Sequence, residues 1–355
     1  MPPVKPMLAK PVAAIPTGQL YEPKWDGFRS IIFRDGDDVQ IGSRNEKPMT
    51  RYFPEVVEAV LAGFPDRAVL DGEIIVINPV RDTLDFETLQ LRLHPAASRV
   101  NTLAVETSAS FVAFDLLALG DDDLTGRPFR ERRTLLERVL THAAPPVHLT
   151  PITDDEDLAA VWFAQLEGAG LDGVIAKRPE QRYEQDKRVM AKIKHVRTID
   201  CVVAGYRVHK SAPDAVGSLM LGLYRDDGQL ASVGVIGALS MSTRRALFRE
   251  LAPLVTTFDG HPWAWAHRDA WSHRDGDPTS HTSYASRWNA GKDRSFTPLQ
   301  PVGVVEARYD YMEGTRFRHT AQLVRWRLDR EPGSCTFEQV ERPAATALNE
   351  VLGEL

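Results

Sequence analysis

The most apolar, β-branched stretches of this chain carry charges inside them, and no other feature constrains its folding as much. AVLDGEIIVI (68–77) reads as a strand interrupted by Asp71, Gly72 and Glu73. SFVAFDLLAL (110–119) is apolar except for Asp115. LDGVIAKR (171–178) has Asp172 at its start and Lys177 near its end. MAKIKH (190–195) sets Lys192 and Lys194 two apart, on one face of a strand. EPKWDGFRS (22–30) puts Lys24 at the entrance to another strand. A buried charge is costly unless it is paired. A lysine held in a dry, positively charged site, however, can lose its proton and become a nucleophile.

Each of these residues also has a plain structural reading. Lys24 could be a strand-edge lysine reaching water, Glu73 a rim acid, Asp172 part of a turn, and Phe114 a core aromatic. Together they gather carboxylates, lysines and one aromatic where a nucleotide could lie against a sheet.

The surrounding pattern gives the organisation. Residues 29–44 read as a hairpin around Asp35-Gly36. Residues 53–64, 129–140 and 154–170 have helical spacing, with Pro54 near the start of the first and acids at the start of the last. This is an α+β plan. After about residue 198 the texture changes to short strands separated by turns, with one helix at 242–251. That pattern suits a small Greek-key barrel such as an OB-fold. We therefore expect domains at 1–197 and 198–355. Residues 255–295, rich in Trp, His, Asp and Ser, read as a long, partly mobile excursion from the barrel. His261, His267, His273 and His281 match no metal-ligand spacing, and the two HRD triplets lack the other kinase segments.

Net charge is −6, which argues mildly against nucleic acid as a partner. The charges are segregated, though. Residues 177–197 and 316–330 are both rich in lysine and arginine, which permits phosphate binding at a chosen face; a solvated surface is the plain alternative. Two cysteines, Cys201 and Cys335, make neither a disulfide framework nor a four-cysteine zinc site. There is no apolar run long enough for a membrane span and no signal-peptide core at the start. The expectation is a cytoplasmic protein that does not contact membranes.

The ordered set of segments resembles the covalent nucleotidyltransferase superfamily, and within it the ATP-dependent DNA ligases of the minimal bacterial repair type. KWDGFR (24–29) looks like the nucleophile motif K-x-D-G-x-R, and SRNEKPMTRYFPE (43–55) is similar to the segment supplying a phosphate-binding arginine, here Arg44. LDGEIIV, FVAFDLL, LDGVIAKR and KIK resemble the ribose and metal, adenine-stacking, fourth and paired-lysine motifs. Arg327-Leu328-Asp329-Arg330 looks like the last barrel motif. DFETLQLR (85–92), PMLAK (6–10) and SLMLGLY (218–224) resemble the bacterial repair members. Two departures stand out: Asp172 replaces the usual glutamate of the fourth motif, and Met190 or Ala191 stands where a tryptophan is common.

The resemblance implies an adenylation domain followed by an OB-fold, and a full reaction path. Lys24 attacks the α-phosphorus of ATP, the AMP donor, and forms a lysyl-AMP. The AMP then passes to a 5′-phosphate at a nick in duplex DNA, and the 3′-hydroxyl displaces it. Asp26, Lys192 and Lys194 join Lys24 as catalytic residues, and the two lysines, with burial, would push its pKa down. Glu22, Arg29, Arg44, Glu73, Phe114 and Lys177 would bind nucleotide. Glu73 and Asp172 would hold Mg²⁺ or Mn²⁺, and Arg327 and Arg330 would orient the leaving pyrophosphate. The expected partner is nicked double-stranded DNA, sealed by a monomer at the nucleoid with repair proteins assisting. Other readings stay open: an RNA ligase, an mRNA-capping guanylyltransferase, and a non-enzymatic OB nucleic-acid-binding protein. Labelling with ATP or GTP separates the enzymes, and salt-sensitive binding without covalent AMP marks the last.

Overall fold

The computed structural model describes residues 4–94, 96–265, 295–340 and 346–348. The chain divides into two compact units, with the division between His195 and Val196. Residues 346–348 are counted with the first unit, so the chain returns to it at its end.

In the first unit the strands are β1 (Leu8–Pro11), β2 (Leu20–Pro23), β3 (Phe28–Asp35), β4 (Asp38–Ser43), β5 (Arg67–Asn78), β6 (Thr83–Leu84), β7 (Ala109–Leu119), β8 (Asp122–Asp123), β9 (Val147–Leu149), β10 (Val174–Lys177) and β11 (Arg188–Ile193). The larger sheet runs β4-β3-β5-β7-β8, with β6 added beside β5 and β9 beside β7. The smaller one runs β1-β11-β10-β2. Helices α1 (Pro54–Gly63), α2 (Phe86–Leu91), α3 (Ala97–Glu106), α4 (Phe129–Val139) and α5 (Glu156–Gln165) complete the unit.

Strand alternation explains how the larger sheet carries both a core and a site. Ile32, Leu70, Ile74 and Val76 point to one face and pack with Val56 and Val60 of α1 and Leu136 of α4. Ile31, Val69 and Leu117 point the other way and meet Met7, Tyr183 and Met190. Because β5 is buried on both faces, its sequence reads as one apolar run with no polar side. It passes through Asp71-Gly72-Glu73 without a break, so these residues do not interrupt the strand as the sequence suggests. Local signals end the elements as expected. Gly36 takes φ +59° in the β3–β4 turn. Pro54 opens α1, and Asp155 caps α5 by accepting from Asp157 and Leu158 N–H.

The second unit contains β12 (Arg197–His209), β13 (Ala212–Tyr224), β14 (Leu230–Ile236), β15 (Thr297–Tyr309), β16 (Met312–Glu313), β17 (Arg316–Phe317), β18 (Gln322–Trp326) and helix α6 (Met241–Glu250). Its sheet order is β14-β13-β12-β15-β18, with every pairing antiparallel. The two edges meet where Ala321 N–H donates to Val235 O at 2.9 Å, so the sheet curls back on itself. Its core includes Val203, Leu219, Leu221, Val233 and Trp263. Cys201 and Cys335 are buried free thiols.

Of the 255–295 excursion, residues 255–265 and 295 are described, and 266–294 lie outside the described residues. His261 is a packed core residue, its Nε2 3.1 Å from both Ala204 O and Leu299 O. His267, His273, His281 and both HRD triplets lie outside the described residues.

Candidate active site

The two sheets of the first unit pack together at the Met7–Met190 cluster and diverge beside it, leaving a cavity of about 190 Å³. Eight of the residues singled out from the sequence line it: Glu22, Lys24, Arg29, Arg44, Glu73, Phe114, Lys177 and Lys192.

Backbone register places the central lysine. Val174 of β10 pairs with Pro23 of β2. Past that pair the strands stay joined, Lys24 N–H donating to Gly173 O at 2.9 Å and Asp172 N–H to Lys24 O at 3.0 Å. Lys24 and Asp172 therefore sit side by side, and Lys24 Nζ reaches Asp172 Oδ2 at 2.7 Å. Lys194, just beyond β11, reaches the same oxygen at 2.5 Å. Burial alone would raise the Asp172 carboxyl, but the Lys24 and Lys194 ammoniums override it and hold it below the usual carboxylate range. Lys192 stands nearby on β11, its ammonium pushed down by burial and by the neighbouring charges of Lys194 and Lys24. One carboxylate oxygen thus holds two lysines, with a third beside them.

The glycines of the Asp-Gly pairs have a steric cause. A Cβ on Gly27 would fall 2.1 Å from Ile74 O, so only glycine lets the Lys24 loop lie against β5. Gly173 has φ +124°, and a Cβ there would fall 2.0 Å from Ile193 O. Asp26 is half-buried beside Gly27, outside the cavity lining.

The cavity walls are also charged. Burial pushes the Glu73 carboxyl up to about 7, against the pull of Arg29 and Lys24 and an N–H bond from Gly27. Arg29 grips fully buried Asp71 through Nε (2.6 Å) and Nη2 (2.7 Å), and its guanidinium lies 4.3 Å over the Phe114 ring. Burial opposes the Arg29 charge, but Asp71 more than offsets this and raises its pKa. At the back, Lys177 Nζ pairs with Glu22 Oε2 at 2.7 Å and lies 4.9 Å from the Phe114 ring centroid. Burial pushes Glu22 up and Lys177 down, each against the attraction of the other. Glu22 Oε1 is buried without a hydrogen-bond partner. Arg133 Nη1 lies 3.9 Å from it, so Oε1 is faced by a buried guanidinium.

Sequence reasoning missed part of the wall. Met7, Leu8 and Ala9 line the cavity because β1 pairs in parallel with β11, Leu8 opposite Arg188. Arg188 and Met190 line it too. Only the lysine-rich texture of 177–197 pointed toward Arg188. Asp115, flagged next to Phe114, is outside the cavity lining and takes a bidentate fork from buried Arg132, at 2.8 Å for both bonds.

Arg327 and Arg330 belong to the second unit. Arg327 Nη1 contacts both oxygens of Asp200 (3.0 and 2.9 Å), its Nε and Nη2 hold Asp329 at 2.9 Å, and Arg330 Nε lies 3.4 Å from Asp200. Among the described residues no three His, Cys, Asp or Glu cluster as a ready metal cage, and no helix is long and apolar enough to cross a membrane.

Comparison with known proteins follows the same lines. The family profile of the ATP dependent DNA ligase domain matches residues 6–194. The chain is 64% identical to DNA ligase C2 of Mycolicibacterium smegmatis, over 97% of this chain and 96% of that protein. It is 62% identical to DNA ligase C of Mycobacterium tuberculosis, over 99% of this chain and 98% of that protein. A solved Lig E DNA ligase shares its fold at 15% identity, with a TM-score of 0.55 over 91% of this chain and 99% of that one. With that domain spanning the whole cavity and relatives aligned nearly end to end, the chain belongs to the family of ATP-dependent DNA ligases.

Proposed function

We propose that the first-unit cavity binds ATP, that Lys24 is the nucleophile which takes up AMP, and that the product is a sealed nick in duplex DNA, formed in DNA repair. The observation that carries this reading is the surplus of cations beside Asp172: Lys24 and Lys194 meet on its Oδ2, Lys192 stands nearby, and Lys24 and Lys192 line the cavity. Such a surplus is costly until an anion arrives, and a triphosphate is that anion.

The steps follow from the residues. Adenine lies against Phe114, with its amino group on the Glu22 side. Arg29 and Arg44 orient the ribose and phosphates. Asp172 holds the Lys24 ammonium in place until ATP enters, and Lys192 and Lys194 then draw the α-phosphate toward it. Lys24 gives its ammonium proton to solvent, the uncharged Nζ attacks the α-phosphorus, the bond to the β-phosphate oxygen breaks, and pyrophosphate leaves. The second attack, by a DNA 5′-phosphate oxygen, breaks the phosphorus–nitrogen bond; the third, by a 3′-hydroxyl, expels AMP. Asp26 supports the Lys24 loop from the second position after the nucleophile.

Glu73 and Asp172 are hard oxygen donors, and burial makes ionised Glu73 costly, a cost that a bound cation would offset. They fit Mg²⁺ or Mn²⁺ of the kind held by one or two carboxylates plus substrate phosphates. Bound there, the ion would supply charge against the phosphate oxygens. The second unit, with its curled antiparallel sheet, is read as an OB-fold. Arg327 and Arg330 are assigned to the leaving pyrophosphate, for which they would exchange the carboxylate of Asp200. Nicked duplex DNA is the proposed partner, bound weakly by a monomer without help from repair proteins.

The test is joining of a nicked duplex with ATP or GTP as the sole nucleotide. Sealing with ATP alone is expected. Label transferred from GTP, or joining confined to RNA strands, would move the protein to a capping or RNA-ligase role.

A further inference from the structure

We propose that Tyr183 is a positioning residue for the nucleotide, fastening the N-terminal edge of the cavity and the Arg29 guanidinium to one another through a single hydroxyl. The inference rests on the reading of the cavity as the ATP site.

The hydrogen bonds form a closed circuit. Tyr183 Oη accepts from Met7 N–H at 3.1 Å and donates to Asp71 Oδ2 at 2.5 Å. Asp71 holds Arg29 by the bidentate fork already described. Arg29 Nη2 also reaches Met7 O at 3.4 Å. Both backbone polar groups of Met7 are therefore committed, one to Tyr183 and one to Arg29. Met7 and Arg29 are both cavity-lining residues, and they come from segments with no local reason to align. The circuit sets the distance between them.

Tyr183 itself is anchored independently. Its ring is buried against Val4, Ile31, Val69 and Leu117, and its backbone N–H donates to Thr125 O at 2.9 Å. Removing the hydroxyl should therefore leave the ring in place and cut only the two bonds it makes. Arg29 would keep its fork but lose the third contact that fixes the Asp71 carboxylate, and Met7 would lose its tether. A buried tyrosine ordinarily finds partners for its hydroxyl. Here both partners belong to the wall of the same site, which a core role alone does not require.

The experiment is lysyl-AMP formation by the full chain at varied ATP, comparing wild type with Tyr183→Phe. The expected result is a KM for ATP about tenfold higher with kcat within about twofold, the loss of one charge-assisted bond. The Asp71→Asn effect should shrink in the Tyr183→Phe background, because the two act in one network. If Tyr183→Phe melts below the assay temperature, Met7→Pro deletes the amide donor with the hydroxyl intact, and it should raise KM in the same way. A lowered melting temperature with unchanged KM, in whichever variant folds, would overturn the inference and leave the ATP reading standing. A wild-type chain that forms no lysyl-AMP would remove the reading beneath it.

Discussion

Asp172 in the first unit and Asp200 in the second are each ringed by basic residues drawn from distant parts of the sequence, yet their charge balances differ. Around Asp200, two arginines meet two aspartates, since Asp329 completes the set. Around Asp172, Lys24 and Lys194 share one carboxylate oxygen, and the Lys192 ammonium stands close enough to feel both of their charges. Arginine, always charged and forked, suits a pair that stays made. Lysine, a point charge able to lose its proton, suits a centre that waits for an anion and then reacts. Both stretches had looked equally basic in the sequence; the number of acids folded against them separates a closed cluster from a receptive one.

Substitutions can break this contrast. The largest effect is expected from Lys24→Arg, which keeps the charge but cannot supply a neutral amine. Lysyl-AMP formation should fall by roughly a thousandfold or more, and near-normal activity would show that charge alone suffices. Next is Lys192→Ala, which reduces the surplus. A fall of about a hundredfold in kcat is expected, the scale of one lost electrostatic contact to a transition state, with the melting temperature little changed. Asp200→Asn should do the reverse in the second unit. It leaves two arginines facing a neutral amide and should lower the melting temperature by several degrees; an unshifted melt would mean that the cluster is not structural.

The smallest effect concerns pH. His261 Nδ1 accepts from Trp263 N–H at 3.0 Å, so the neutral ring is the one built into the second unit. Burial lowers its pKa, against the pull of the Leu299 and Ala204 carbonyls. The unfolded chain then binds the proton first as pH falls through about 6.5. The His261 contribution is therefore full above that pH and fades below it. Melting curves from pH 8 to 5 should slope less for His261→Gln than for wild type, and equal slopes would refute the assignment.

Much of this was legible in the sequence because its signals are local. The hairpin turn at Gly36, the proline opening α1 and the apolar runs of β5 and β7 depend on neighbours in the chain. So does the order of the motif residues lining the cavity. What stayed hidden depends on register between distant segments. The parallel pairing of β1 with β11 joins residues some 180 positions apart and brings Met7 to Ala9 into the wall. Nothing near Asp172 announces that Lys24 and Lys194 will share its Oδ2. The return of the chain end is equally silent: Leu348 is fully buried with Trp25, Ile75 and Val112, and its N–H donates to Asp82 O at 2.9 Å. Helix α2, six residues long, went unread because it offers too few turns for a clear period.

The central claim is that the lysine surplus exists to make one amine reactive. Peptide mass spectrometry of the protein after incubation with ATP tests it directly. The account predicts an adenylyl group on the peptide containing Lys24, released when pyrophosphate is added. Nick sealing by a protein that never carries AMP there, or carries it on Lys192 or Lys194 instead, would contradict it.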